Sequence, residues 1–213
     1  MATDIRTFSR LVRPEWTLTV VQPEGGRLPA SASAATLAEL DERQLVEACL
    51  AGQREAFDVI VERHRRTVYQ LCYRFVGNHE DASDLSQDVF VRAYKGLPRF
   101  RGQSSLGTWL YRIGVNVCLN KVSSKQPLSE PIDARPHLDA RAKDPAQELL
   151  RGERALEVRA AIAQLPKKQR ATVILRVYHE LSHEEIAGIL GSSVGAVKAN
   201  FFHALANLKR LLR

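Results

Sequence analysis

Lys198, Asn200, Phe202 and His203 lie close together near the end of this 213-residue chain, and side chains of these types suit contact with nucleic acid better than the making or breaking of bonds. Lysine and imidazole reach acceptors on base edges or phosphates, an amide pairs with a base edge, and an aromatic ring can touch a thymine methyl. They fall in LSHEEIAGILGSSVGAVKANFFHALANLKRLLR, Leu181 to Arg213. Ser182 followed by Glu185 forms a capping-box opening to a helix. Ile186, Ile189 and Leu190 give that helix an apolar stripe, Gly191 suits the left-handed position that ends it, and Ser192 or Ser193 can cap the next. The second helix carries Val194, Val197, Phe201, Leu205, Leu208 and Leu212 at three- and four-residue spacing, which are expected to pack inward. At 100° per residue the opposite face centres on Ala199 and His203. No acidic residue follows Glu185, and Lys209, Arg210 and Arg213 make the end positive. A helix, a tight turn and a helix also occur in domains that never meet DNA, so the rest of the chain must decide.

The balance of charge favours a polyanionic partner: net charge is +7 and the isoelectric point is about 9.6. Its distribution says more. Glu80, Asp81, Asp84 and Asp88 form an acidic cluster, whereas no acidic residue occurs from Val89 to Ser129, where Arg92, Lys95, Arg99, Arg101, Arg112, Lys121 and Lys125 fall. One segment attracts cations and its neighbour attracts anions. Nothing in the chain requires it to do chemistry. Paired-carboxylate sites, His and Cys metal spacings, Gly-rich phosphate loops and nucleophile motifs are all missing, so neither an enzyme, a metal site, a cofactor nor a small-molecule substrate is expected. Cys49, Cys72 and Cys118 are odd in number and far apart, which fits buried thiols better than a disulfide framework. No apolar run approaches the roughly 20 residues that cross a bilayer, and the N-terminus lacks a signal-peptide core; a cytoplasmic protein without membrane insertion is expected.

Apolar periodicity divides the chain into an all-α arrangement of two small domains. Residues 1–38, with weak periodicity and several Pro and Gly, read as a flexible extension. Residues 39–122 form a first helical domain. Patterning begins between Leu37 and Leu50; a helix from about Glu55 to Val76 buries Phe57, Ile60, Val61, Val68, Leu71, Cys72 and Phe75, and Gly77 stops it. Asn78 caps another, with Ala82, Leu85, Val89, Phe90 and Ala93 inward. Pro98 to Ser105 is a basic loop. A helix from Leu106 to about Val122 has Trp109, Leu110, Ile113, Val117 and Cys118 as core and exposes Arg112, Asn116, Asn120 and Lys121. Residues 123–150, with four prolines, read as a flexible linker. Residues 151–213 form the second domain, in which Leu165-Pro166 breaks one helix and Pro166 opens the next, to about Tyr178. A fully extended linker spans roughly 90 Å, and two turns of DNA cover about 70 Å, so both domains can reach one duplex.

With these parts assembled, Glu55–Lys121 and Leu165–Lys209 resemble the second and fourth conserved regions of the extracytoplasmic-function (ECF) sigma factors of bacterial RNA polymerase. The resemblance covers about residues 41–122 and 151–213. It implies a chain that binds core RNA polymerase, recognises promoter DNA at the −10 and −35 elements, and leaves catalysis to the polymerase. Asp81, Asp84, Leu85, Gln87, Asp88 and Phe90 match the segment that docks on the polymerase. Phe100, Arg101, Gly102, Gln103, Ser104 and Ser105 align with the loop that captures a base flipped from the non-template strand, with Asn116 at its edge and Arg112, Asn120 and Lys121 holding the backbone or neighbouring bases. Extrusion costs a few kcal/mol, which an aromatic surface and amide hydrogen bonds offset. Phe100 fits this role and a core role equally well; Trp109 reads as core. In the fourth region, Ser193, Lys198, Ala199, Asn200, Phe202, His203 and Lys209 fall where the family reads the upstream duplex. Arginine is commoner there in the family, and asparagine favours adenine, so the upstream element is expected to contain adenine. The resemblance also implies an anti-sigma factor as partner, holding the chain at the membrane or elsewhere. A stand-alone helix-turn-helix regulator that needs no polymerase is the alternative, and so is an interaction protein whose basic block binds RNA.

Overall fold

The computed structural model describes residues 34–124 and 145–212, and the described residues are helical, with no strand among them. The first segment runs α1 (Ala34–Glu39), α2 (Glu42–Leu50), α3 (Arg54–Val76), α4 (His79–Gly96) and α5 (Leu106–Ser124), with a 3₁₀ turn at Leu97–Arg99. The second runs α6 (Pro145–Ala163), α7 (Lys167–Val173), a π-helical turn (Ile174–Tyr178), α8 (His183–Leu190) and α9 (Val194–Leu211). Most of the expected extension lies outside the described residues, although α1 occupies its last part and Leu37 is buried. Most of the expected linker lies outside them too. Helices take both its ends, α5 reaching Ser124 and α6 opening at Pro145, a first-turn position where a missing N–H has no partner to lose.

The first segment is a bundle built on α3, α4 and α5. Every apolar residue expected inside α3 and α4 is buried, from Phe57 to Phe75 and from Ala82 to Ala93. Gly77 ends α3 in the left-handed conformation (φ 78°), returning its N–H to Tyr73. Asn78 then caps α4, its side chain accepting from the Asp81 N–H at 2.7 Å. The reversal is therefore only two residues long and lays α4 back along α3. At the crossing of the three helices stands Gly114 of α5, whose missing side chain admits Leu71 of α3 and Val89 of α4.

In the second segment the Ser182–Glu185 capping box forms in full: the Ser182 hydroxyl accepts from the Glu185 N–H and the Glu185 carboxylate accepts from the Ser182 N–H. Those hydrogen bonds hold the Glu185 carboxyl below its ordinary range. Gly191 takes the left-handed turn position (φ 59°), and Ser193 caps α9. Two expectations are corrected. Pro166 stands at the cap of α7, one residue before its first turn, and α7 gives way to a π-helical turn at Ile174. On α9, Val197 is buried and Val194, Phe201 and Leu208 are half-buried, but Leu205 and Leu212 are exposed. Ala204 is buried in their place. The helix rolls so that a small residue meets α7 and α8, and its last turn overhangs the support beneath it.

The two segments pack into one unit. Arg170 of α7, only 7% exposed, donates to the carbonyls of Phe75 and, at 3.3 Å, Ala163. Arg112 donates to the Gly188 carbonyl at 2.7 Å, Arg159 to the Tyr73 hydroxyl at 2.7 Å, and the Arg74 guanidinium lies 4.0 Å from the centre of the Tyr178 ring. Tyr111 and His179 share a hydrogen bond of 2.9 Å. Beneath this contact the thiols of Cys72 and Cys118 are neighbours in the core; hydrogen bonding to Cys72 and burial push the Cys118 thiol well up. Cys49 is half-buried, and all three thiols are free.

Two measurements check this packing. A Cβ on Gly114 would stand 2.7 Å from a Leu71 methyl, whereas one on Gly188 meets nothing within 4 Å. Gly114→Ala should therefore lower stability in urea titrations by about 1–3 kcal/mol, while Gly188→Ala raises it by about 0.5–1 kcal/mol. Burial, and then Arg74 nearby, push the His179 imidazole from 6.5 down to about 4. The unfolded chain takes up this proton first, so the stability His179 contributes is fully present above pH 6.5 and is lost as pH falls from 6.5 to about 4. Between about pH 7.5 and about pH 4.5 the wild type should lose roughly 2 kcal/mol more than His179→Gln, after allowance for the solvent that still reaches the ring.

Candidate nucleic-acid interface

The exposed face of α9 carries the side chains singled out from the sequence. Lys198, Ala199, Phe202 and His203 are exposed and Asn200 is half-buried. Phe202 is 70% exposed, a large apolar ring left in water with the His203 ring beside it, 5.8 Å between centroids. Ser193 is exposed too, but its hydroxyl accepts from the Ala196 N–H at 3.2 Å, so it builds the N-terminus of α9. Lys209 lies beyond the last supported turn and is exposed. Buried Val197 and Ala204 fix the roll of this helix, with an Asn207–Gln169 hydrogen bond of 2.9 Å tying it to α7. An exposed helix face that offers a cation, an amide, an imidazole and an aromatic ring has the side chains that suit a major groove.

The second surface surrounds the loop from Phe100 to Ser105. Gly102 takes a positive φ of 66°, which turns the loop back on itself. Ser105 closes it by accepting from the Thr108 N–H at 3.1 Å, capping α5. Phe100 is half-buried and tilts against Trp109, 5.1 Å between ring centres, and Trp109 in turn packs on Gly96. Trp109 is thus half-buried support for the loop. Phe100 lines a cavity of about 530 Å³ together with Arg101 and Ser104. The opposite wall is α2, through Glu42, Val46 and Glu47. That wall escaped the sequence reading because its residues stand some fifty positions from the loop and bear no motif.

From this cavity the exposed face of α5 continues through Arg112, Asn116 and Asn120, four residues apart and so in line along the helix. Lys121 is different: its ammonium lies 3.1 Å from Asp81. The sequence reading assigned these two to separate surfaces, and the fold joins them. On α4, Asp84 and Gln87 are exposed, and Asp88 is half-buried with Arg92 at 2.9 Å. Leu85 and Phe90 are only 8% and 4% exposed. Their side chains belong to the bundle core and hold α4 against it, so of the residues that the resemblance assigns to docking these two are not presented at the surface. Among the described residues no group of His, Cys, Asp and Glu can hold a metal ion, and no helix is long and apolar enough to cross a membrane.

Comparison with known proteins assigns both segments. Residues 60–127 match Sigma-70 region 2 and residues 155–208 match Sigma-70, region 4. The chain is 32% identical over 186 residues to the RNA polymerase sigma-H factor of Pseudomonas aeruginosa, covering 83% of this chain and 96% of that one. It is 32% identical over 171 residues to the ECF RNA polymerase sigma factor SigW of Bacillus subtilis, covering 76% and 91%. Among solved structures, CnrH in complex with the cytosolic domain of CnrY aligns over 80% of this chain and 96% of that one, with 26% identity and a TM-score of 0.60. A helix-turn-helix after a helical bundle with a basic loop, matches to both conserved regions in this order, and relatives at 32% identity whose length this chain nearly spans lead to one assignment: the chain belongs to the extracytoplasmic-function family of RNA polymerase sigma factors.

Proposed function

We propose that this chain binds core RNA polymerase through Asp84, Gln87 and Asp88 of α4, directs it to promoters by reading the −35 element with α9, and captures a melted −10 base in the cavity beside Phe100. The observation that carries the reading is the pairing, in one chain, of the exposed second helix of a helix-turn-helix with a half-open cavity of about 530 Å³, large enough for one extruded base and walled by an aromatic ring. Base stacking on an aromatic side chain contributes about 1–3 kcal/mol, comparable to the few kcal/mol that extrusion costs. Arg112, Asn116 and Asn120 extend the track for the backbone, where phosphate contacts set register and amides discriminate. The chain works in the cytoplasm and is restrained there by an anti-sigma factor; that CnrH forms a complex with the cytosolic domain of CnrY supports a protein partner.

Run-off transcription with core polymerase on promoters selected from genomic DNA is the direct test. New start points should appear only when chain and polymerase are both present; DNA selection unchanged by polymerase would instead favour a stand-alone regulator. Asp84→Lys should cut co-elution with core enzyme at least tenfold while leaving the fold intact, since its side chain is exposed. Asn200→Arg should shift the upstream preference from adenine toward guanine by roughly 1–3 kcal/mol of discrimination, read as relative run-off yield on paired promoters.

A further inference from the structure

The wall of the base cavity opposite the loop lies outside the segment that matches Sigma-70 region 2, which begins at residue 60. That wall is α2, and it carries two carboxylates. Glu42 Oε1 lies 3.1 Å from His64 Nε2, without hydrogen-bond alignment. Glu47 Oε1 accepts from Arg43 Nε at 3.1 Å. Each carboxylate therefore uses one oxygen on a neighbour and keeps the other available. Between them, Val46 gives the wall an apolar patch.

The wall is held firmly. Asp41 and Gln44 form a reciprocal capping box, with hydrogen bonds of 2.8 and 2.9 Å. Arg63 of α3 donates to the carbonyls of Ala38 and Leu40, both at 2.7 Å, and so pins the α1–α2 corner to the bundle. Leu45 and Ala48 are fully buried beneath it. A short helix clamped in this way keeps its backbone in place when a ligand arrives, while the Glu42 and Glu47 side chains, 41% and 56% exposed, stay open to solvent.

The geometry points to α2 as a specificity-determining wall, with Glu42 and Glu47 selecting an extruded base that bears an exocyclic amino group and rejecting thymine. This rests on the promoter reading above and deepens it. An ionised carboxylate only accepts hydrogen bonds. Cytosine, adenine and guanine each present an amino donor to it, and Glu accepting from the cytosine amino group is an established pairing. Thymine has no amino group, and its single N–H is flanked by two carbonyl oxygens that face the carboxylate with like partial charge. Arg43 and Arg101 border the cavity and supply the positive charge that a nucleotide's phosphate needs, so the carboxylates do not repel the strand as a whole.

The test uses holoenzyme assembled from the full chain and core polymerase, with promoters carrying each of the four bases in turn at every position of the downstream element. With the wild type, thymine at one position should reduce run-off yield about tenfold relative to the best amino-bearing base, about 1.4 kcal/mol of discrimination. In the Glu42→Gln, Glu47→Gln double variant that penalty should fall to about threefold or less at that position alone, because an amide offers thymine a donor. Glu42→Gln by itself should give an intermediate penalty, with melting curves confirming that both variants fold. The proposal is overturned if the double variant keeps the full penalty while Phe100→Ala abolishes it, which would place selection in the loop alone and leave the promoter reading intact. Absence of transcripts from every promoter with wild-type holoenzyme would overturn the promoter reading and this proposal with it.

Discussion

A base taken out of a stack must be met by surfaces already in position, because its stacking is lost at once and a protein that had to assemble the receiving site would add an ordering cost to the cost of extrusion. Two walls at a fixed spacing satisfy that constraint. In the proposed function they are the loop from Phe100 to Ser105 and the helix α2, and several contacts of the first segment hold both in place. Arg63 fastens one wall to α3, while Trp109, seated on Gly96 and against Phe100, supports the other. Gly114, where α3, α4 and α5 cross, sets the separation of the helices that carry both.

Four arginines cross the contact between the two segments. Arg112, Arg159 and Arg170 each reach an acceptor across it, and Arg74 lies over Tyr178. Arginine at such a surface gains hydrogen bonds with a planar fork that suits phosphate equally well. Arg112 thus has a protein acceptor in this structure and must exchange the Gly188 carbonyl for DNA to serve on the α5 track. The buried Arg170 is a firmer anchor, since removal of its acceptors would leave a desolvated guanidinium unpartnered. Such a contact separates only if what replaces it is at least as good.

Local signals made most of this fold legible. The Ser182–Glu185 box, Gly77, Asn78 and Gly191 mark helix ends by hydrogen bonds within a few residues, and the stripes on α3 and α4 have the helical period, so both survive the passage from sequence to structure unchanged. What stayed hidden was non-local. Leu205 and Leu212 continue an apolar stripe, but burial depends on the roll of the helix, which turns Ala204 inward in place of Leu205, and on the length of the surface beneath it, which ends before Leu212. Asp81 and Lys121 looked like members of opposite charge clusters until α4 and α5 were set side by side. Glu42 and Glu47 carry no motif, and only the return of the chain after α4 brings the loop against them. Leu85 and Phe90 show the same limit from the other side: resemblance placed them at an interface, and their helical period placed them in the core.

The most direct test is to visualise the open promoter complex formed by this chain with core polymerase and to ask where the non-template strand of the downstream element runs. The account predicts a single base lodged between Phe100 and α2, with a carboxylate oxygen of Glu42 or Glu47 within hydrogen-bonding distance of its amino group. A strand whose bases remain stacked past the loop, leaving the cavity between residues 42–50 and 100–106 empty, would contradict it.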